Sequence, residues 1–89
     1  MKTYLISYDL HRPGQKYDEL YEAIKNLGTW SHCLDSVWII KTDLSATQIR
    51  DSLSPQLDGS DSLLVVLLAG GGAWIGLDVN CSSWLKNNL

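Results

Sequence analysis

The residues best suited to catalysis or metal binding lie where short apolar segments end. Asp9 ends the first such segment, His11 and Arg12 follow it, and His32 precedes the predicted turn at Asp35. Carboxylates and imidazoles that meet can hold a divalent metal, which can activate water for phosphodiester cleavage. No ligand spacing among them is diagnostic. Asp9 can instead bond to the turn after its strand, and both histidines can be ordinary surface or interface residues.

Tryptophans and glycines form a second group of candidates. Trp30 and Trp74 flank predicted loops and could stack on a base, although most aromatic side chains of a small domain belong to the core or an interface. Gly71 lies in the run Gly70–Gly72, which permits close backbone approach to a phosphate. The run lacks the Lys and Ser/Thr of a P-loop, so a flexible strand end is the alternative.

Hydrophobic spacing predicts the elements that position these residues. Alternating or continuous apolar segments favour strands, and apolar residues at helical spacing favour helices. Ser45 and Gln48 have the capping-box spacing at the start of the second helix, and Gly28 is predicted to end the first helix. The predicted strands cover residues 3–9, 30–34, 37–41 and 63–68, and the helices cover residues 17–27, 46–57 and, in the tail, 83–87.

The order β-α-β-β-α-β predicts an α+β domain of the ferredoxin-like kind. Right-handed crossovers place two helices on one face of a four-stranded antiparallel sheet. Residues 1–69 are the predicted core and residues 70–89 a C-terminal extension. This topology brings six polar residues toward one edge of the sheet, called the rim below, where the first strand ends. They are Asp9, His11, Arg12, His32, Asp35 and Asp61.

The fourth strand is apolar at every position, so both of its faces require cover. Helices cover one face, which leaves the other to a sheet-to-sheet dimer or to the C-terminal tail. Four Trp and four Tyr in 89 residues also favour a second copy of the chain as partner. We therefore expect a homodimer or a higher homo-oligomer.

Charge and cysteine content exclude some classes of protein. The net charge is −3 and the seven Lys and Arg residues are scattered, so the chain is not an indiscriminate binder of polyanions. The two cysteines form no C-x-x-C motif, which predicts two reduced thiols and a cytoplasmic location. Asp9 and Arg12 interrupt the first apolar segment, so no signal peptide is expected. The longest apolar run, residues 63–69, is too short to cross a membrane.

Short motifs resemble those of the CRISPR-associated Cas-two family. The segment Ile6-Ser7-Tyr8-Asp9-Leu10 resembles the family's Tyr-Asp strand, and Ser36-Val37-Trp38 is similar to its Ser-Val-Phe segment. Small SinR-like relatives share the Tyr-Asp strand, the Pro-Gly loop and an ending like Trp84 to Leu89. The resemblance covers nearly the whole chain.

The resemblance implies a ferredoxin-like homodimer in which Asp9 binds a divalent metal, Mg²⁺ or Mn²⁺, at the dimer interface and serves as the catalytic residue. Other members of the family hold DNA as a structural bridge. Two features depart from the family: the chain is acidic, and the stretch His32-Cys33-Leu34-Asp35 lacks the basic and amide residues expected before Ser36.

Three functions remain open from the sequence. The first is a Cas-two-like metal-dependent phosphodiesterase that acts on nucleic acid or nucleotides in defence or counter-defence. The second is a non-catalytic sponge that sequesters a small nucleotide signal. The third is a structural dimer that binds a protein partner. The predicted ligand-binding residues are Tyr8, His11, Arg12, Trp30, His32, Gly71 and Trp74.

Overall fold

The computed structural model describes residues 1–11 and 17–89. These residues form four strands and three α-helices, plus a single 3₁₀ turn at Ser54–Gln56. No described helix is long and apolar enough to span a bilayer. In chain order the elements are β1 (Lys2–Asp9), α1 (Asp18–Lys25), β2 (Thr29–Leu34), β3 (Val37–Thr42), α2 (Ala46–Leu53), β4 (Ser62–Leu67) and α3 (Val79–Asn88).

The strands form one antiparallel sheet in the order β2-β3-β1-β4. Tyr4 lies opposite Ile40 of β3 on one side and Leu67 of β4 on the other. The predicted α+β class and the four-stranded antiparallel sheet are confirmed. A third helix follows β4 and is added to the predicted βαββαβ order; it spans Val79–Asn88, where the sequence predicts a shorter tail helix over residues 83–87.

The sheet has two faces. The near face, which includes Ile6 and Ile40, carries the hydrophobic core under α1 and α2, and the far face, which includes Leu5 and Ile39, is the opposite side. Strand β1 buries every second residue, because successive side chains of a strand point to opposite faces. The buried cluster joins three residues of β1, two of β3 and two from each of α1 and α2, namely Tyr4, Ile6, Tyr8, Trp38, Ile40, Leu20, Ile24, Ile49 and Leu53.

The helix ends show which local signals were interpreted correctly. The Ser45 side chain accepts from the Gln48 backbone and the Gln48 side chain accepts from the Ser45 backbone, so the capping box of α2 is confirmed. The predicted role of Gly28 is wrong, since α1 ends at Lys25 with Asn26 as its right-handed C-cap. Gly28 is required for another reason: a Cβ there would overlap the carbonyl oxygen of Lys41.

Helix α3 crosses part of the far face of the sheet. It begins before the predicted residue 83, because the Asp78 side chain caps it by accepting from the Cys81 backbone. Near its other end, the Asn88 carbonyl accepts a hydrogen bond from Thr3 of β1. The prediction of two reduced thiols is wrong, since a disulfide joins Cys33 of β2 to Cys81 of α3. The extension therefore folds back onto the sheet.

Candidate functional site

Asp9 lies at the end of β1, on the far face of the sheet. Its side chain is 76% exposed, and its Oδ2 is 3.3 Å from the Nε2 of His11. The carboxylate lines an open depression of about 360 Å³ with the hydroxyl-bearing residues Ser7 and Ser62. The exposed leucine Leu64 closes one side of the depression. The site therefore offers oxygen ligands beside an apolar surface.

Asp61 lies on the same rim and holds two loops in place. Its carboxylate accepts from the backbone N–H groups of His11 and Asp58, both at 2.8 Å, and from the Tyr17 hydroxyl at 2.9 Å. Partial desolvation acts to raise the pKa of this carboxyl, but these hydrogen bonds outweigh it and lower the pKa. Because its lone pairs are used in this way, Asp61 fixes the backbone at His11, just after the end of β1 at Asp9.

The predicted convergence of the rim residues is seen in part. Asp61 accepts from the backbone of His11, which pairs with Asp9, whereas His32 Nε2 contacts the Asp35 carbonyl oxygen at 3.0 Å in a separate group. Arg12 lies outside the described residues. Within residues 1–11 and 17–89, no three His, Cys, Asp or Glu residues come close enough to hold a metal. Besides the carboxylate, a cation at Asp9 could use the hydroxyls of Ser7 and Ser62, and its remaining ligands would come from a second copy, from substrate or from water.

An aromatic cluster brings together three of the predicted ligand-binding residues, Tyr8, Trp30 and His32. His32 stacks on Trp38 with ring centroids 3.8 Å apart and planes 10° apart. Trp30 lies 5.3 Å from the same indole in a tilted arrangement. Tyr21 of α1 completes the cluster at 6.1 Å from Trp38. Register explains the contact, since Trp30 lies opposite Ile40 in the sheet and so shares a face with Trp38.

Tyr8 belongs to the core and has little free surface. It is 8% exposed, and its hydroxyl accepts from the Trp38 indole N–H and donates to the Asp35 carbonyl. Desolvation by burial raises the pKa of this phenol, against the lowering effect of the Trp38 hydrogen bond. A ligand would have to displace one of these partners to reach the hydroxyl.

Trp30 is the accessible member of the aromatic cluster. It is 40% exposed, and the Lys25 ammonium lies 5.2 Å from its ring centroid. Lys25 is not among the residues predicted from the sequence, although its position in the last turn of α1 places it close to the start of β2. An aromatic ring with a cation beside it can contact both the base and the phosphate of a nucleotide.

Gly71 and Trp74 are remote from both groups. Gly70 lines a depression with Lys2 and Thr3, at the opposite end of β1 from Asp9. Gly71 is exposed and has φ of 77°, which glycine adopts readily. The Trp74 indole donates to the Ser82 hydroxyl at 3.0 Å and thereby joins the segment before α3 to the helix itself. The structure does not bring these two residues to the rim.

No protein-family model matches the chain, and no curated protein matches it. The likeness to the Cas-two family therefore stays a prediction that rests on the short motifs quoted above.

Proposed function

We propose that two copies of the chain associate through the far face of the sheet and act on a phosphodiester at the rim that holds Asp9. One observation carries the proposal: beyond the Thr3 contact with α3, nothing in residues 1–11 and 17–89 covers the part of the β1–β4 half that leads to Asp9. Leu64 and Val66 of that half are 57% and 40% exposed. Such a surface favours a partner, and Asp9 then lies beside the contact between the two copies.

The fold and the short motifs support this proposal. The antiparallel sheet with α1 and α2 on one face fits a ferredoxin-like domain to which α3 is added. In the Cas-two resemblance the strand-one aspartate lies at a dimer interface. Here Asp9 shares its face with Ser7 and with the exposed Leu64, because residues opposite each other in the sheet lie on one face.

The donor set at Asp9 suits a hard divalent cation. Mg²⁺ and Mn²⁺ prefer carboxylate, hydroxyl and water oxygens, and Asp9, Ser7 and Ser62 line the depression with such groups. A bound cation would polarise a phosphate and lower the pKa of a coordinated water. The His11 Nε2 lies 3.3 Å from the Asp9 Oδ2 and is close enough to orient that carboxylate.

Activity assays with a matched pair of variants test the proposal. Purified protein is incubated with RNA, DNA and cyclic nucleotides in Mg²⁺ or Mn²⁺. We expect Asp9→Asn to lower cleavage by about 10²-fold or more, since it removes a charged ligand. Asp43→Asn, an exposed carboxylate at the other end of the sheet, should retain the wild-type rate. Absence of cleavage by the wild type, or equal rates for wild type and Asp9→Asn, would contradict the proposal.

Self-association is measured separately from activity. Sedimentation velocity of the wild type should show a dimer, and Leu64→Asp should weaken association at least about tenfold, because a carboxylate would be buried at the contact. The matched control is Val79→Asp, which replaces another exposed apolar residue, on α3, 79% exposed. A monomeric wild type at all concentrations would exclude the dimer.

A second candidate function, nucleotide sequestration, is favoured by the accessible Trp30 ring beside Lys25. Stacking of a base on Trp30 and ion pairing of its phosphate with Lys25 would need no cleavage. Calorimetry against a panel of nucleotides tests this function. Trp30→Leu should abolish binding while Trp74→Leu retains it, and no heat from any nucleotide would exclude it.

A further inference from the structure

Helix α3 is attached to the sheet by few contacts. Leu85 is the one buried residue of the helix, at 5% exposure. Val79 is 79% exposed and Trp84 is half-buried, and the remaining residues are largely polar. The Thr3 hydroxyl donates to the Asn88 carbonyl at one end, and the disulfide to Cys33 holds the other. A helix of ten residues is marginal in water without such tertiary contacts.

The surface beneath α3 is incompletely filled. A cavity of about 50 Å³ lies between the helix and the sheet and is lined mostly by apolar side chains, namely Leu34, Val37, Ile39, Leu77 and Leu85 together with Ser31 and Cys33. Loose packing contributes less dispersion energy than a close-packed core does. The noncovalent hold on α3 is therefore weak compared with that on α1 and α2, which bury two residues each.

We propose that the Cys33–Cys81 disulfide is a reducible latch that holds α3 over the β2–β3 half of the far face. Its cleavage releases the helix while the rest of the fold persists. The near-face core shares no residue with α3 and contains members of β1, β3, α1 and α2, so it does not depend on the latch. Release uncovers Val37 and Ile39 and extends the apolar surface across β3.

The chemistry of opening requires a dithiol reductant of the thioredoxin or dithiothreitol class. One reductant thiolate attacks a disulfide sulfur, and the bond between the cysteines breaks to leave the other sulfur as thiolate. The second thiolate of the reductant then attacks the reductant sulfur of the mixed disulfide, and the bond to the protein cysteine breaks to release that cysteine as thiolate. The reductant ends as its own disulfide, and the two cysteine thiolates take up the two protons that the reductant thiols gave up. Both cysteines are half-buried, and neither belongs to the buried core cluster. The Ser31 hydroxyl, 2.8 Å from the Cys33 sulfur, can donate to a departing Cys33 thiolate.

Hydrogen exchange with peptide resolution tests the latch in the full chain. Air-oxidised protein is compared with protein treated with dithiothreitol, and alkylation with mass measurement counts the thiols in each. We expect no reactive thiol before reduction and two after it. Amides of residues 79–88 should then exchange at least about tenfold faster, while those of residues 46–53 in α2 change less than about twofold.

The double variant Cys33→Ser, Cys81→Ser is the matched control. It should exchange like reduced wild type and should not respond to dithiothreitol. Three results would overturn the latch: two reactive thiols in the oxidised sample, equal exchange of residues 79–88 in both redox states, or acceleration of all segments together. The last would show that the disulfide supports the whole fold.

A consequence for self-association rests on the proposed function. If the far face is the dimer contact, the larger surface of reduced protein should shift the dimer dissociation constant, measured by sedimentation. Faster exchange of residues 79–88 without such a shift would support the latch and contradict the far-face dimer. No change in either quantity would contradict the latch alone.

Discussion

The two halves of the far face of the sheet differ in whether the chain covers them. Over β2 and β3 the chain supplies its own cover, with Leu85 buried and a disulfide joining the helix to the sheet. Over β1 and β4 nothing comparable is present in the described residues, and Leu64 and Val66 stay exposed. Both surfaces are apolar, so hydrophobicity alone does not explain the difference.

The difference separates a stabilising region from a region available for binding. Helix α3 covers apolar residues of the β2–β3 half, so that half needs no second chain. The uncovered half carries Asp9 at its end, where a ligand or partner can reach it. The candidate catalytic residue Asp9 therefore lies on the half of the face that α3 leaves exposed, as expected for a site that must admit a ligand.

The largest expected effect comes from a matched pair of leucines on this face. In oxidised protein, where the disulfide keeps α3 on the sheet, Leu85→Ala should lower the free energy of unfolding by about 3 kcal/mol, because it enlarges the cavity beneath the helix. Leu64→Ala should change the unfolding free energy by less than about 0.5 kcal/mol in dilute, monomeric protein. Urea denaturation measures both. Equal losses would contradict the proposed difference between the halves.

Local signals in the sequence sufficed for most of the fold. The alternation of β1 and the Ser45–Gln48 capping box act over a few residues, so they can be detected without a structure. The start of α3 was missed, although Asp78 occupies an ordinary N-cap position. The weak apolar pattern of the tail offered no second signal, because Leu85 is its one buried residue.

The candidate site was harder to predict, because its geometry depends on contacts distant in sequence. Cys33 and Cys81 are 48 residues apart, and their pairing depends on where α3 crosses β2. Topology placed Asp9 and Asp61 on one rim, but it did not show that hydrogen bonds to the loops occupy Asp61. The stack of His32 on Trp38 follows from side-chain orientation, which composition does not specify.

Gly28 lies directly before β2, at the border of the half that α3 covers, and its backbone closely approaches β3. Gly28→Ala should cost about 2 kcal/mol of unfolding free energy, because the added methyl overlaps the Lys41 carbonyl and must move backbone. Gly59→Ala is the matched control, since nothing lies within 4 Å of a Cβ there. Thermal or urea unfolding of the two variants tests the contact. A neutral Gly28→Ala would show that the approach of β2 to β3 is looser than described.

Thr3 joins the two halves, because it belongs to β1 and bonds to the last turn of α3. Thr3→Val should lower the unfolding free energy by about 1 kcal/mol through loss of that hydrogen bond. Thr29→Val, an exposed threonine of β2, serves as the control. Hydrogen exchange of residues 79–88 should rise in Thr3→Val and remain unchanged in the control. If both variants behave alike, the Thr3 contact does not fasten α3.

The smallest expected effect distinguishes the two carboxylates on the rim of the uncovered half. Asp9 is open to solvent, whereas Asp61 accepts hydrogen bonds that lower its pKa. The Asp61 contribution to stability is therefore complete above about pH 4, the ordinary range of an unfolded aspartate. It is lost as the pH falls through the lower pKa of the folded state. Urea midpoints between about pH 6 and pH 2 should fall less steeply for Asp61→Asn than for wild type.

Tyr17→Phe should reduce the pH dependence that Asp61 contributes without abolishing it. The change removes one donor to Asp61 and leaves the two backbone donors in place. Its pH dependence should lie between those of wild type and Asp61→Asn. The effect is small because solvent reaches the carboxylate and screens its interactions. Parallel curves for all three proteins would mean that Asp61 does not lock the loop beside Asp9, and the rim would then lack the rigidity that a preorganised phosphate site requires.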